Sequence, residues 1–337
     1  MASLLRNVLR PSSALDVRAF QQRPATPTAV DRGNKATSTH EEYIPTQQQV
    51  RLDVRSLTRM PPGSWDSHMH IVDASQYPLS PTAIYKPSRH TIAQAVAFET
   101  SVGASNVVIV QPSIYGYDNS CLLDSLRTLG PAIARGVVAF DPDTTTIATL
   151  QEWHDLGVRG VRVNLQSTSK AMSHDEMGAV LRQYAEMVRP MGWVIQVYIP
   201  LTMAKALETI VPDLGVRLCI DHMGSPGLSS NTSNLDPYSL DGFASLVRLL
   251  QAGNTWVKMS AAYRFSKHVD YVEDVEPIAK ELLRVAPSRI LFATDWPHTR
   301  FEGLDIRPWI ESVMRWCNGD QELVTRIFRT NAAQLWT

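Results

Sequence analysis

Eight short apolar runs, most of them rich in Val and Ile, alternate with helix-like amphipathic segments over roughly 270 residues, and together they predict a TIM (β/α)8 barrel. The runs are Ser64–Val72, Asn106–Gln111, Arg135–Phe140, Val158–Asn164, Trp193–Ile199, Val216–Asp221, Thr255–Ser260 and Arg289–Thr294. A doubly wound open sheet would need fewer strands. Polar residues close almost every run, as expected where a barrel gathers its chemistry at the C-terminal ends of its strands. Ser113 follows the second run, Arg162 and Asn164 end the fourth, Tyr198 the fifth, His222 the sixth, Ser260 the seventh and Asp295 the eighth, while His68 and His70 lie on the first.

The helices between the runs are legible from their period. Ser173 and Glu176 form a Ser-x-x-Glu capping box, and Met177, Val180, Leu181, Tyr184, Met187 and Val188 then recur as one apolar stripe. A second helix near Asp270–Arg284 turns Val275, Ile278, Ala279, Leu282 and Leu283 inward.

The chain has 337 residues, 44% of them apolar and 19% charged, enough to bury a large core. A formal net charge of −1, with no run of Lys or Arg, provides no field for nucleic acid or anionic lipid, so a small molecule is the expected partner. Cys121, Cys219 and Cys317 are few and scattered, which argues against a disulfide framework or a thiolate metal site and for a reducing compartment. No apolar run approaches the ~18 residues that would span a bilayer. No segment specifies an oligomer interface.

Residues 1–45 differ from the rest. In the first forty, Arg6, Arg10, Arg18, Arg23 and Arg32 stand against only Asp16 and Asp31 as acidic residues, and Leu4, Leu5, Val8 and Leu9 would line one side of a short helix. That composition suits either a mitochondrial transit segment or a disordered basic extension, so the mitochondrial matrix and the cytoplasm are the two expected locations. The barrel is expected to occupy residues 46–337.

The chemistry is carried by Asp66-Ser67-His68-Met69-His70 near the start and Ala293-Thr294-Asp295-Trp296-Pro297-His298 near the end. On a strand, residues two apart share a face, so Asp66, His68 and His70 are expected to project together. Two histidines converging with a strand-end aspartate make a metal site or a water-activating site. If a zinc or manganese ion were bound, its ligands would be His68, His70, Asp295 and His222. Lys258 points inward or outward according to strand register, with a buried ion pair as its plain explanation.

These segments, with Val110-Gln111-Pro112-Ser113-Ile114-Tyr115-Gly116-Tyr117-Asp118-Asn119, Arg159 to Asn164, Asp221-His222-Met223-Gly224 and Lys258-Met259-Ser260 followed by Tyr263-Arg264, resemble the amidohydrolase superfamily. Within it they are similar to the branch of 2-pyrone-4,6-dicarboxylate lactonases and sugar-lactone relatives. The resemblance implies hydrolysis of a lactone without a divalent metal. Metal-dependent relatives place a histidine at the end of the fifth strand, where this chain reads Gln196-Val197-Tyr198. In the roles so implied, Asp295 takes a proton from the attacking water, and His68, His70 and His222, with Tyr198, polarise the carbonyl. Arg162 and Arg264 are the expected carboxylate anchors, and Ser113, Tyr85, Tyr115 and Asn164 contact the rest of the ring. The lactonases of this branch carry a further arginine just past the fourth strand, whereas here the stretch runs Leu165-Gln166-Ser167-Thr168-Ser169-Lys170, which leaves recognition of a second carboxylate open. A lactone isomerase and a metal-dependent hydrolase or decarboxylase are the alternatives.

Overall fold

The structure, a computed structural model, describes residues 59–163, 165, 173–229, 235–268, 271 and 273–337. The basic extension at 1–45 therefore lies outside the described residues, as do Asn164, Lys170 and part of the Leu228–Pro237 loop. Eight parallel strands form one sheet in sequential order: β1 Trp65–Met69, β2 Asn106–Val110, β3 Ala134–Val138, β4 Val158–Val163, β5 Val194–Val197, β6 Arg217–Ile220, β7 Thr255–Met259 and β8 Ile290–Phe292. All eight expected strands are present, each ending one to three residues sooner than expected, and β3 starting one residue earlier, at Ala134. No helix among the described residues is long and apolar enough to cross a membrane.

Strict alternation divides the strand side chains between two cores. Val107 and Ile109 of β2, Ile195 and Val197 of β5, and Val257 and Met259 of β7 face the outer shell of helices. Val108, Val110, Val194, Cys219, Trp256 and Leu291 fill the barrel interior. The floor of that interior is the C-terminal helix Asn331–Trp336, whose Leu335 and Trp336 are fully buried against the inward residues. Gly160 makes room for it, since a Cβ there would lie 2.9 Å from the Val194 carbonyl oxygen and 3.4 Å from the Trp336 ring. Above this floor the inward residues turn polar: Gln196, Asp221 and Lys258 are all fully buried.

The helices obey their sequence signals. Helix α1 (Ile92–Val102) begins at Thr91, whose side chain and Gln94 cap each other reciprocally, and the Ser173/Glu176 box opens the helix His174–Val188. Each such cap stabilises its helix by about 1 kcal/mol. The helix Val275–Val285 buries the five residues that its period selects.

The seam between β1 and β8 is closed differently from the other seven. Asp295 N donates to the His68 carbonyl (2.9 Å) and His70 N to that of Trp296 (2.8 Å), while the Asp66 carboxylate accepts from Thr294 N (2.9 Å), Thr294 Oγ1 and His68 N (3.1 Å). The β1/β2 register is irregular between Asp66 and Met69, which interrupts the alternation. In consequence Asp66 does not project with His68 and His70 as the simple period predicts. It turns toward β8 and the buried Glu99 of α1.

Burial raises both carboxyls of that pair, Asp66 to about 6 and Glu99 well above its usual range, the latter reinforced by the Asp66 charge. With three donors trained on Asp66, the shared proton belongs on Glu99. The folded chain thus holds a proton that the unfolded chain releases at ordinary carboxyl values. This stabilisation is complete at low pH and is lost as pH rises through the raised value of Glu99. Melting temperature is expected to fall from pH 5 to 8 in the wild type and to fall less in Glu99→Gln; equal slopes in thermal scans would refute the shared proton.

Candidate active site

The polar rim gathers onto one oxygen atom. Asp295 Oδ1 lies 3.7 Å from His68 Nε2, 3.7 Å from His70 Nε2 and 3.9 Å from His222 Nε2. Its other oxygen, Oδ2, accepts from Tyr263 OH (2.7 Å) and Arg264 Nε (2.8 Å). The carboxylate therefore has one restrained face and one face open to the histidines. Asp295 adopts a left-handed φ of 63°, as do His222 (53°) at the end of β6 and Ala261 (53°) just before Tyr263. Three non-glycine residues in this region at the mouths of adjacent strands place backbone strain where side chains are aimed into the barrel.

Each histidine is oriented by its other nitrogen. His70 Nδ1 donates to the Val110 carbonyl (2.7 Å), so its Nε2 presents a lone pair when the ring is neutral. His222 Nδ1 pairs with Ser260 Oγ at 2.8 Å. His68 Nδ1 lies 3.2 Å from Lys258 Nζ and 3.3 Å from Asp221 Oδ1, and its Nε2 is 3.3 Å from His70 Nε2. Burial lowers all three rings, His70 to about 4, with the Lys258 charge assisting at His68. They are neutral at pH 7.

Beneath His68 lies a closed ionic layer. Lys258 Nζ reaches Gln196 Oε1 (2.6 Å), His68 Nδ1 (3.2 Å) and Asp221 Oδ1 (3.3 Å), three acceptors for the three protons of an ammonium, and Gln196 Nε2 donates to Asp221 Oδ2 at 2.9 Å. The inward register of β7 thus makes Lys258 a partner of the site. Burial works against ionisation of Asp295, but His222 and Arg264 outweigh it and hold the carboxyl well below its usual range. Arg264 is the permanent cation among them.

The remaining expected residues are spread around the mouth. Tyr198 packs edge-on against the His222 ring at 5.2 Å, and Arg162, inward on β4, donates to the Gln111 carbonyl at 3.0 Å. Ser113 is exposed in the turn after β2, and Tyr85 is half-buried in the β1–α1 loop. Tyr115 needs correcting: it is buried in the outer core, where its hydroxyl accepts from Asp73 N (2.9 Å), so it braces the β1–α1 loop and does not face the cavity. Arg264 is committed to Asp295 rather than free as an anion anchor. Tyr263, named in the sequence only as part of the Tyr263-Arg264 segment and given no role there, joins Arg264 in holding Asp295.

The amidohydrolase family model matches residues 65–337. The chain belongs to the amidohydrolase family. It is 30% identical over 244 residues, 72% of this chain and 77% of the relative, to 4-sulfomuconolactone hydrolase of Hydrogenophaga intermedia. It is likewise 30% identical over 250 residues, 71% and 78% of the two chains, to a 2-pyrone-4,6-dicarboxylate hydrolase of Comamonas testosteroni. A solved apo structure from Agrobacterium tumefaciens superposes with a TM-score of 0.70 at 24% identity, over 82% of this chain and 97% of that one, a likeness of fold.

If the Tyr263 hydroxyl holds Asp295 Oδ2 in place, Tyr263→Phe should lower kcat by roughly 10–100-fold, the worth of a hydrogen bond to a charged group. Circular dichroism should remain unaltered. Undiminished kcat would assign the restraint to Arg264 alone.

Proposed function

We propose that this amidohydrolase opens a carboxylate-bearing lactone by attack of water, with its own side chains supplying the polarisation. The observation that carries the reading is the single carboxylate oxygen facing three neutral imidazoles, in a chain whose relatives are named as lactone hydrolases.

Proton bookkeeping assigns the roles. Because His70 spends its Nδ1 proton on Val110, its Nε2 can only accept, and the 3.3 Å contact with His68 requires His68 Nε2 to be the donor. His68 Nδ1 is then the acceptor that Lys258 fills. When substrate enters, the His68 Nε2–H would leave His70 for the carbonyl oxygen, and the His70 Nε2 lone pair so released would hold the water together with Asp295 Oδ1. The carbonyl oxygen would be met by His68 Nε2–H and by His222 Nε2–H, the latter set when Ser260 donates to Nδ1. This divides the histidines into one acceptor, His70, and two donors, His68 and His222. As the water oxygen bonds to the carbonyl carbon, its proton passes to Asp295; as the ring C–O bond breaks, Asp295 returns that proton to the departing oxygen. Arg264 costs Asp295 some basicity, but it keeps the carboxylate ionised and its open oxygen aimed. Arg162, with no carboxylate partner among the described residues, would anchor the substrate's acid group.

The same donors fit a divalent ion, since 3.3 Å between two Nε2 atoms is close to the edge of a tetrahedron with ~2.0–2.1 Å bonds. Zinc or manganese held by His68, His70 and Asp295, with His222, would supply Lewis-acid polarisation of the carbonyl. Such an ion needs the His68 Nε2 lone pair, hence a proton on Nδ1, which would then face the Lys258 ammonium. Asp221 Oδ1, 3.3 Å from the same nitrogen, could accept that proton, so the tautomer of His68 turns on the competition between Lys258 and Asp221.

Two experiments test this. Chelator-treated, metal-analysed protein is expected to open pyrone or sugar lactones, followed by absorbance or proton release, with a rate that holds down to about pH 5 and falls as His70 gains its proton near 4. Asp295→Asn should lose roughly 10²–10⁴-fold; near-normal turnover in that variant would remove Asp295 as the base. In Lys258→Gln the proton on His68 should shift to Nδ1, so zinc affinity measured by chelator competition is expected to rise while metal-free turnover drops. Unchanged zinc affinity in a folded variant would contradict the role given to Lys258.

A further inference from the structure

Asp295 is held by two side chains that neither a strand nor a long helix carries. Tyr263 and Arg264 stand in a single tight turn, Ala262–Arg264, within the connection from β7 to the helix Val275–Val285. That connection is far longer than the about two to six residues usual between a strand and its helix, so its order has to come from specific contacts. Arg264 N donates to the Ala261 carbonyl (2.9 Å) and Ser266 N to that of Ala262 (2.8 Å), which carries the hydrogen-bonded turn as far as Ser266. Its far end is held by Asp274. This residue occupies the N-cap of the helix Val275–Val285, where an aspartate ordinarily accepts from the first free N–H groups, yet its side chain makes no such bond. The Tyr271 carbonyl takes those protons instead, from Val275 N (3.2 Å) and Glu276 N (2.9 Å), with the Tyr271 ring seated edge-on against Trp309 at 5.5 Å. The Asp274 carboxylate is fully buried and turned back to the loop, Oδ2 accepting from Lys267 N (2.6 Å) and Oδ1 from Ser266 Oγ (2.9 Å).

Burying a carboxylate is costly, and Asp274 has no ion pair among the described residues to offset it. Its local duty as a helix cap is discharged by Tyr271, so the contacts that remain are those to the loop. We infer that Asp274 is a positioning residue for the reacting carboxylate, acting through Tyr263 and Arg264. The path is continuous: Asp274 to Ser266 and Lys267, the turn from Ser266 back to Tyr263 and Arg264, and these two to Asp295 Oδ2 at 2.7 and 2.8 Å. From the other side the loop after β8 completes the grip, where the Thr299 carbonyl accepts from Arg264 Nη1 (3.4 Å) and the Phe301 ring packs 4.8 Å from Tyr263. Without the tether the turn is fixed only where it leaves β7, and its two donors lose the register from which they aim one carboxylate oxygen. The three histidines and Arg162 come from other strands and stay in place. The inference rests on the lactone-hydrolase reading for the reaction it serves, though not for the geometry of the tether.

Asp274→Ala is expected to lower kcat roughly 10–100-fold with little change in KM, because a small displacement of the groups that aim a reacting atom is felt in the transition state. Asp274→Asn, which keeps an oxygen for Lys267 N, should restore most of that loss. Combined with Tyr263→Phe, the two losses should fall short of their product, since both act on the same carboxylate. Losses that multiply in full, or a kcat that does not change in folded Asp274→Ala, would leave Asp274 an ordinary loop residue and overturn the proposal. Hydrogen exchange gives a readout independent of turnover: in Asp274→Ala the amides of residues 262–267 and of residues 298–301 should both lose protection, and unaltered exchange at 298–301 would break the link to Asp295. Should Asp274→Ala not fold, Ser266→Ala removes one donor at a half-buried position and is expected to move both measurements the same way by less; no movement in either would refute the tether. If the wild type opened no lactone while exchange changed as stated, the hydrolase reading would fail and the tether would stand.

Discussion

The carboxylate of Asp66 joins the two ends of the barrel, and the site depends on that junction. By accepting from Thr294 and from His68 N at once, it holds the β1 histidines and the β8 aspartate in one frame. The backbone exchange between His68, His70, Asp295 and Trp296 then sets the distance across which the two histidines and the aspartate face each other. His68 and His70 are 225 or more residues away from Asp295 along the chain, and no local element could fix their separation. Diverting Asp66 from the cavity is the local cost of this arrangement. It leaves a buried carboxyl pair with Glu99, in which burial and the Asp66 charge favour the protonated form of Glu99.

Within that frame the chemistry follows from asymmetry. Asp295 has one oxygen held by Tyr263 and Arg264 and one turned toward the histidines, so those two donors fix its orientation; in the proposed reaction the open oxygen takes the water. The histidines look alike in sequence but are made different by what touches their far nitrogens: a backbone carbonyl for His70, a hydroxyl for His222, and an ammonium with a carboxylate for His68. A set of residues that fits metal binding is in this way also a set that can divide acceptor and donor work among neutral rings.

The interior is stratified, with an apolar floor at Trp336, the Lys258–Asp221–Gln196 layer above it, the histidines next and arginines at the mouth. A buried ion pair of this kind contributes little to stability by itself. Its value here lies in the position of a proton, because Lys258 has three acceptors and Asp221 is satisfied from two sides.

The sequence by itself determined the barrel, since eight Val- and Ile-rich runs and their capped helices are local signals that survive without knowledge of partners. It also marked His68, His70, His222 and Asp295 as convergent, because strand-end position in this fold implies a common rim. What only the tertiary structure decided is which atoms meet. The irregular register in β1 sent Asp66 to Thr294, 228 residues away; the inward face of β7 brought Lys258 to His68 across 190 residues; and burial turned Tyr115 into a brace. Periodicity reports the face on which a side chain lies. Its partner, and hence its proton and its charge, is set by strands that adjoin only when the barrel closes.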